Sequence, residues 1–153
     1  MVERGSIEES LVYDVLDLVF TAAEQINSLL AETVGDLGLT AVMAKTLWQI
    51  EPTATPSMRQ LAAALGCDPS TVTFLADRLQ EKGLITREVD PANRRAKIVT
   101  LTETGRDVRR QLGTAMLTRS SVAGLSLAEQ RQLRRLLTKL TRSKTAGTDT
   151  DSD

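Results

Sequence analysis

Apolar residues recur along the first part of the chain at the spacing of an α-helix. The stripe runs from Leu11 through Leu18 to Leu29, and further apolar residues lie beside it on more than one face. Gly35 and Gly38 follow and predict the end of this helix. Because a helix with several apolar faces in so small a protein needs more than its own domain to cover them, it is expected to meet a partner.

Capping and stop signals predict two short helices after the first one. Thr40 is a plausible N-cap for a helix over 41–51, which Pro52 stops. Ser57 and Gln60 have the spacing of a capping box and begin a third helix. This part of the chain is therefore expected to be wholly helical.

A fourth helix is predicted directly after the tight turn Gly66-Cys67-Asp68-Pro69. Asp68 can accept hydrogen bonds from the first free N–H groups, and Pro69 suits the first helical position. The helix is expected to run to Lys82, before Gly83. Two short helices joined by a tight turn indicate a helix-turn-helix, a weak signal alone because many helical proteins contain such a pair.

Two β-prone runs follow, Leu84 to Val89 and Ala96 to Leu101. The loop between them, residues 90–95, contains proline, asparagine and two arginines, which predicts a hairpin with a basic tip. A helix-turn-helix followed by such a hairpin fits the two grooves of duplex DNA. One helix fills the major groove, and the hairpin tip reaches the adjacent minor groove, where negative potential is concentrated.

The C-terminal part predicts two more helices and a tail. Thr102 caps a fifth helix, and Ser126 with Glu129 forms a second capping box before a sixth helix with a narrow leucine seam. Residues 143–153 are rich in Thr, Asp and Ser and are expected to be disordered. The fold class is therefore mainly α with a small β-hairpin wing.

Charge is distributed unevenly along the chain. Residues 1–55 carry a net charge of −7, whereas residues 56–112 and 113–153 each carry +3. The net positive segments therefore include the one that contains the helix-turn-helix and the hairpin. This distribution is expected for a weakly acidic protein that binds nucleic acid. The single cysteine, the lack of a signal-like N-terminus and the short apolar runs favour a cytoplasmic protein without a membrane span.

Enzymatic chemistry finds little support in the composition. With no histidine, His-based triads, His metal ligands and His acid–base catalysis are excluded, and one cysteine cannot build a Cys-rich zinc site. No glycine-rich phosphate loop appears. Carboxylate or lysine chemistry stays open, but no arrangement suggests it, so neither an enzyme nor a cofactor or metal is predicted.

The candidates for DNA contact lie on the fourth helix and the hairpin. Small polar side chains near the start of the helix can approach DNA closely, and basic side chains can reach phosphates or base edges. The alternatives are ordinary first-turn helix residues, a solvated hairpin tip and an arginine paired with an acidic neighbour. The candidates are Ser70, Thr71, Thr73, Arg78, Arg94, Arg95 and Lys97.

The stretch from Leu61 to Gly105 resembles the MarR family of transcriptional regulators over about 45 contiguous residues. Three parts carry the resemblance: Asp77-Arg-Leu with Lys82-Gly-Leu-Ile, the arginine-rich wing, and Leu101-Thr-Glu-x-Gly105. The resemblance implies a triangular homodimer in which the first, fifth and sixth helices interlock. Two winged modules would then face a palindromic operator on double-stranded DNA, with half-sites about 10 bp apart.

The resemblance also implies domain bounds and residue roles. A single domain over 1–142 would contain dimerisation helices at 7–34 and 103–142 and a winged helix-turn-helix module at 40–101. Ser70, Thr71, Thr73 and Arg78 match recognition-helix contacts of the family, and Arg95 matches the wing arginine that enters the minor groove.

Two residues depart from the family pattern. Asn93 stands where an aspartate often holds the wing arginine, and Phe74 stands where arginine is common. Phe74 could pack on a thymine methyl group or turn inward. Asp77 is expected to have a structural role rather than to read a base.

Relatives of this kind often bind small aromatic or phenolic effectors between the dimerisation helices and the winged module. Tyr13 and Trp48, the only Tyr and Trp, could line such a cleft, with core packing favoured for Trp48. Cys67 precedes a helix N-terminus, but the family's peroxide-sensing cysteine lies in the first helix, so a structural role in the turn is favoured.

The leading hypothesis is a repressor released by a small molecule. Its alternative is a winged-helix interaction module that has lost DNA binding.

Overall fold

The computed structural model describes the backbone of residues 3–142 and the side chains of residues 9–142. Its helices and strands follow the order predicted from the sequence, and the fold class is confirmed. The tail predicted at 143–153 lies outside the described residues. The elements are α1 (Glu3–Val34), a 3-10 turn (Gly35–Leu37), α2 (Ala41–Gln49), α3 (Met58–Leu65), α4 (Pro69–Glu81), β1 (Ile85–Asp90), β2 (Asn93–Leu101), α5 (Glu103–Arg119), a second 3-10 turn (Ser121–Gly124) and α6 (Leu127–Arg142).

The chain divides into two compact units, one up to Ser120 and one from Ser121 onwards. The first contains α1 to α5 with the hairpin, and the second contains α6. The single domain expected over 1–142 stays a prediction.

Side-chain caps begin the helices where the sequence predicted them. The Thr40 hydroxyl accepts from the N–H of Met43 at 3.3 Å. Ser57 and Gln60 form a reciprocal capping box. Each cap satisfies N–H groups that the helix itself leaves without a partner, so the helix starts could be read from residue type.

The predicted end of α2 needs a correction. The helix ends at Gln49 and not at residue 51, because Ile50 already has extended backbone angles. Glu51 precedes Pro52, and a residue before proline is disfavoured in the helical region. This constraint excludes Glu51 from the helix, and Ile50, whose side chain is fully buried, has already left it.

The hairpin also differs from the prediction. β2 begins at Asn93 rather than Ala96, because Asp90 pairs with Asn93 and leaves only a two-residue turn. The next pair joins Val89 to Lys97, so residues 94–96 form an irregular, out-of-register segment. The two wing arginines consequently lie in this bulged segment beside the turn.

One core joins α1 to α5 with the base of the hairpin. The Val99 N–H donates to the carbonyl of Pro56 at 2.9 Å, which ties β2 to the loop before α3. Burial of these side chains is the main stabilising contribution to the winged module. The largest fully buried apolar side chains are Leu47, Ile50, Leu61, Leu79, Ile85, Leu112, Val34, Val72 and Val99.

The contact between the hairpin and α5 depends on a glycine. The Thr102 hydroxyl donates to the carbonyl of Gly83 at 2.7 Å and accepts from the N–H of Gly105 at 3.0 Å. A Cβ at Gly105 would lie 1.9 Å from the carbonyl oxygen of Leu84. The Leu-Thr-Glu-x-Gly motif therefore has a structural purpose, which is the close approach of two backbone segments.

Two helices leave apolar side chains uncovered. Eight large apolar residues of α1 between Leu11 and Phe20 are exposed, as are Leu136, Leu137 and Leu140 of α6. Among the described residues, no helix has the length and apolar character needed to cross a membrane.

Candidate nucleic-acid interface

Helix α4 presents one face to solvent. Its buried side chains are Val72, Leu75, Ala76 and Leu79. At 100° per residue, the direction opposite this buried stripe is occupied by Ser70 and Phe74. An outward helix face of this kind is the part of a helix-turn-helix that can enter the major groove.

The hydroxyl groups near the start of α4 already have partners within the helix. Ser70 and Thr71 donate to the two carboxylate oxygens of Asp68, and Thr73 donates to the carbonyl of Pro69 at 2.9 Å. The Asp68 pKa is held far below its usual range, first by the Ser70 hydroxyl and then by the N–H and hydroxyl of Thr71. The protons of these hydroxyl groups are donated within the helix. The hydroxyl oxygens can therefore contact DNA only by accepting hydrogen bonds.

Phe74 and Arg78 form a contact on the same face. The Phe74 side chain is 57% exposed and does not turn inward. The guanidinium carbon of Arg78 lies 5.3 Å from the centre of the Phe74 ring, within the range of a cation–π contact. Arg78 also pairs with Glu81 at 3.0 Å, which is the acidic-neighbour alternative considered from the sequence.

The hairpin tip carries uncommitted basic side chains. Arg94, Arg95 and Lys97 are exposed, and no hydrogen bond or ion pair engages their side chains within residues 9–142. The Asn93 Oδ1 atom accepts from the backbone N–H of Arg95 at 3.1 Å. Asn93 therefore shapes the backbone of the tip, and this bond leaves the arginine side chain free to move.

An ion pair that the sequence did not reveal joins the wing to α4. Arg87 on β1 donates to Asp77 at 2.5 Å and to Gln80 at 2.7 Å, and its side chain is largely buried. The structural role expected for Asp77 is consistent with this contact. Strand alternation gave a usable signal, because Arg87 shares a face with the buried Ile85 and so points toward the core side.

A cavity of about 300 Å³ lies beside Trp48 in the first unit. Trp48 is 38% exposed and forms part of the cavity wall, so it is not a fully buried core residue. Tyr13 does not line this cavity, and it is exposed nearer the start of α1. The remaining lining residues are Ala23, Ile26, Asn27, Leu30, Lys45, Gln49 and Met116.

Arg109 of α5 anchors Trp48, another contact that sequence patterns did not indicate. Its guanidinium carbon lies 5.1 Å from the Trp48 ring centre. Its NH2 group lies 3.3 Å from the Trp48 carbonyl oxygen and 3.4 Å from a carboxylate oxygen of Glu51. The cavity wall is thus attached to α5 as well as to α2.

Cys67 lies in the turn of the helix-turn-helix, half-buried and packed against the core cluster. Its position agrees with the structural role favoured from the sequence.

Taken with the core beneath them, the outward face of α4 and the basic wing define a winged helix-turn-helix, the architecture of DNA-binding transcriptional regulators. A family model described as the MarR family matches residues 39–97. The chain belongs to the MarR family, whose members are transcriptional regulators.

Solved structures support this assignment. A probable transcriptional regulator from Pseudomonas aeruginosa is 32% identical, with a TM-score of 0.64 over 80% of this chain and 93% of that one. BpsR from Bordetella bronchiseptica, whose DNA binding is regulated by 6-hydroxynicotinic acid, is 28% identical, with a TM-score of 0.68 over 84% and 98%. A cysteine-to-serine variant of E. coli MarR complexed with operator DNA is 26% identical, with a TM-score of 0.69 over 84% and 94%.

Proposed function

We propose that the chain is a homodimeric transcriptional repressor that binds a palindromic operator in the cytoplasm and is released by a small aromatic effector. The observation that carries the proposal is the pairing of an outward recognition helix with exposed, uncommitted arginines at the wing tip. Structural similarity to a regulator complexed with operator DNA supports the same role. The proposed role is binding, and it requires no catalytic step.

The proposed DNA contacts follow from this geometry. Ser70, Thr71 and Thr73 would accept hydrogen bonds from base amino groups, because their own protons are engaged within the helix. Arg95 would enter the minor groove. Arg94 and Lys97 would meet backbone phosphates, and Asn93 would keep the tip in the shape that presents them.

Dimerisation is proposed for the helices predicted at 7–34 and 103–142, while the module at 40–101 would bind DNA. The exposed apolar residues of α1 and α6 support this division. Charge supports it too, because α1 contains seven acidic residues and one basic residue, whereas α6 contains five basic residues and one acidic residue. Opposite charges on two uncovered apolar helices favour their association between two copies.

The cavity beside Trp48 is the proposed effector site. Its volume of about 300 Å³ is at the lower end of small-molecule sites, and its lining combines apolar side chains with a few polar ones. The indole ring of Trp48 can stack on an aromatic effector, and Lys45 can pair with a carboxylate. An effector bound here would favour a spacing of the two recognition helices that no longer matches the operator.

The proposal predicts tight, salt-dependent binding to operator DNA from upstream of the gene. Arg95→Ala is expected to weaken binding at least about tenfold, and to reduce the salt slope by about 2 because each dimer loses two charged contacts. The measurement is fluorescence anisotropy with a labelled duplex at several salt concentrations.

Arg110→Ala is the matched control. It removes the same charge from the exposed surface of α5, where Arg110 pairs with Asp107, and should leave operator affinity unchanged. Because α5 lies in the range proposed for dimerisation, sedimentation velocity checks that this variant is still a dimer. Equal losses in both variants would contradict a specific role for the wing. An absence of binding to any duplex at low salt would favour the protein-interaction alternative.

The single tryptophan allows effector binding to be followed directly. Titration with 4-hydroxybenzoate, a phenolic carboxylate, is expected to change Trp48 fluorescence saturably and to release operator DNA over the same concentration range. Trp48→Phe should lose the fluorescence change, while release of DNA is still detectable by anisotropy. If related phenolic acids produce neither signal, the effector part of the proposal fails.

A further inference from the structure

An exposed aromatic ring lies at the centre of the outward face of α4, the face proposed to meet DNA. Phe74 is 57% exposed and lies opposite the buried stripe of the helix. It cannot contribute a hydrogen bond, and its ring is not needed for the core. On a helix face that meets DNA, such a ring can contribute to binding by packing against an apolar group of the DNA.

The major groove offers one prominent apolar group at the base edges. The edges of guanine, cytosine and adenine present donors and acceptors there, whereas thymine also presents its C5-methyl group. Packing a phenyl ring against that methyl removes apolar surface of both partners from water. A phenyl ring packed against the other bases would desolvate polar groups without pairing them.

Arg78 holds the ring in this position. Its guanidinium stacks on the Phe74 ring at 5.3 Å and is itself anchored by Glu81 at 3.0 Å. The three side chains lie on the solvent side of α4, and the stack favours one orientation of the ring before DNA arrives. An oriented side chain loses less conformational freedom on binding.

We propose that Phe74 selects a thymine in each operator half-site by packing against its 5-methyl group, with Arg78 as the positioning residue for the ring. This inference rests on the proposed DNA-binding function and names one base that the recognition helix reads. Phe74 would then contribute to sequence specificity through an apolar contact with thymine, independently of any hydrogen bond.

The test first obtains an operator by selecting bound sequences from a random duplex library with the full-length protein. Each thymine of the selected site is then replaced by uracil, symmetrically in both half-sites, which removes only the methyl groups. At one thymine position the wild-type affinity should fall about fifteenfold, or about fourfold for each methyl group. At the other positions the loss should be small.

Variants separate the methyl contact from general effects. In Phe74→Ala the same uracil replacement should cause no further loss, whereas in Phe74→Leu, which keeps an apolar side chain, part of the loss should persist. Circular dichroism checks folding, which a change at an exposed helical position should not disturb. Arg78→Ala should reduce the uracil effect without abolishing it.

Two results would overturn the inference while leaving DNA binding intact. One is an operator whose affinity is insensitive to uracil at every position. The other is an equal uracil effect in wild type and Phe74→Ala. Failure to select any sequence would instead overturn the proposed DNA-binding function, and this inference with it.

Discussion

Replacing Gly105 with alanine is expected to destabilise the protein by about 3 kcal/mol or more. The new Cβ would lie 1.9 Å from the carbonyl oxygen of Leu84 and 2.9 Å from its carbonyl carbon. Both are backbone atoms, so no side chain can rotate to make room. Either α5 or the strand entry must move, and the Thr102 bridge between Gly83 and Gly105 would break with that movement.

Gly113→Ala provides a matched control in the same helix. A Cβ there would meet the edge of the Trp48 ring at 3.6 Å, an ordinary contact distance. Since alanine is favoured over glycine inside a helix by about 1 kcal/mol, this variant should be as stable as wild type or slightly more stable. Urea unfolding followed by circular dichroism measures both. Equal midpoints for Gly105→Ala and wild type would show that the contact is readily relieved.

Leu18→Glu should abolish dimerisation and reduce operator affinity at least about a hundredfold. Leu18 is 69% exposed and lies among the uncovered apolar residues of α1. A glutamate at this apolar position would lose its hydration among the apolar side chains of the proposed interface in each of two copies, at high desolvation cost. A monomer binds one half-site alone and so loses the joint engagement that makes a two-site contact tight.

Thr21→Glu introduces the same side chain at an exposed position of α1 that lies one turn from Asp17 and one turn from Glu24, on the charged face of the helix, and it should remain a dimer. Sedimentation velocity over a range of protein concentrations measures the association, and anisotropy measures the binding to DNA. Leu18→Glu sedimenting as a stable dimer would exclude this part of α1 from the interface. If the affinity for operator DNA fell while the variant still sedimented as a dimer, the loss of affinity would need another cause.

The starts of α2 to α6 were predictable because each depends on a local capping interaction, whereas α1 begins at Glu3 rather than at residue 7. Asp68 and Thr102 cap α4 and α5 as predicted, and each accepts from a backbone N–H three residues ahead. Helical periodicity likewise identified α1 and its several apolar faces. These features depend on residues close in sequence, which a single chain displays directly.

The details of the site depend on contacts between distant segments, and these could not be predicted. Arg87 meets Asp77 ten residues earlier, and Arg109 meets Trp48 sixty-one residues earlier. The residues next to either arginine in the sequence do not predict which distant residue that arginine contacts. The bulged register at Asn93 was missed for a related reason, since strand pairing is set by both strands and by the packing beneath them.

The bond between Arg87 and the recognition helix has a consequence for the kind of signal the protein can use. Because Arg87 bonds both Asp77 and Gln80, the wing and α4 cannot be repositioned separately without breaking two hydrogen bonds. In the proposed dimer, the wing and α4 of each subunit are therefore expected to move together. A ligand bound to the proposed effector site would then change the distance between the two recognition helices. The bases that each recognition helix contacts would stay the same.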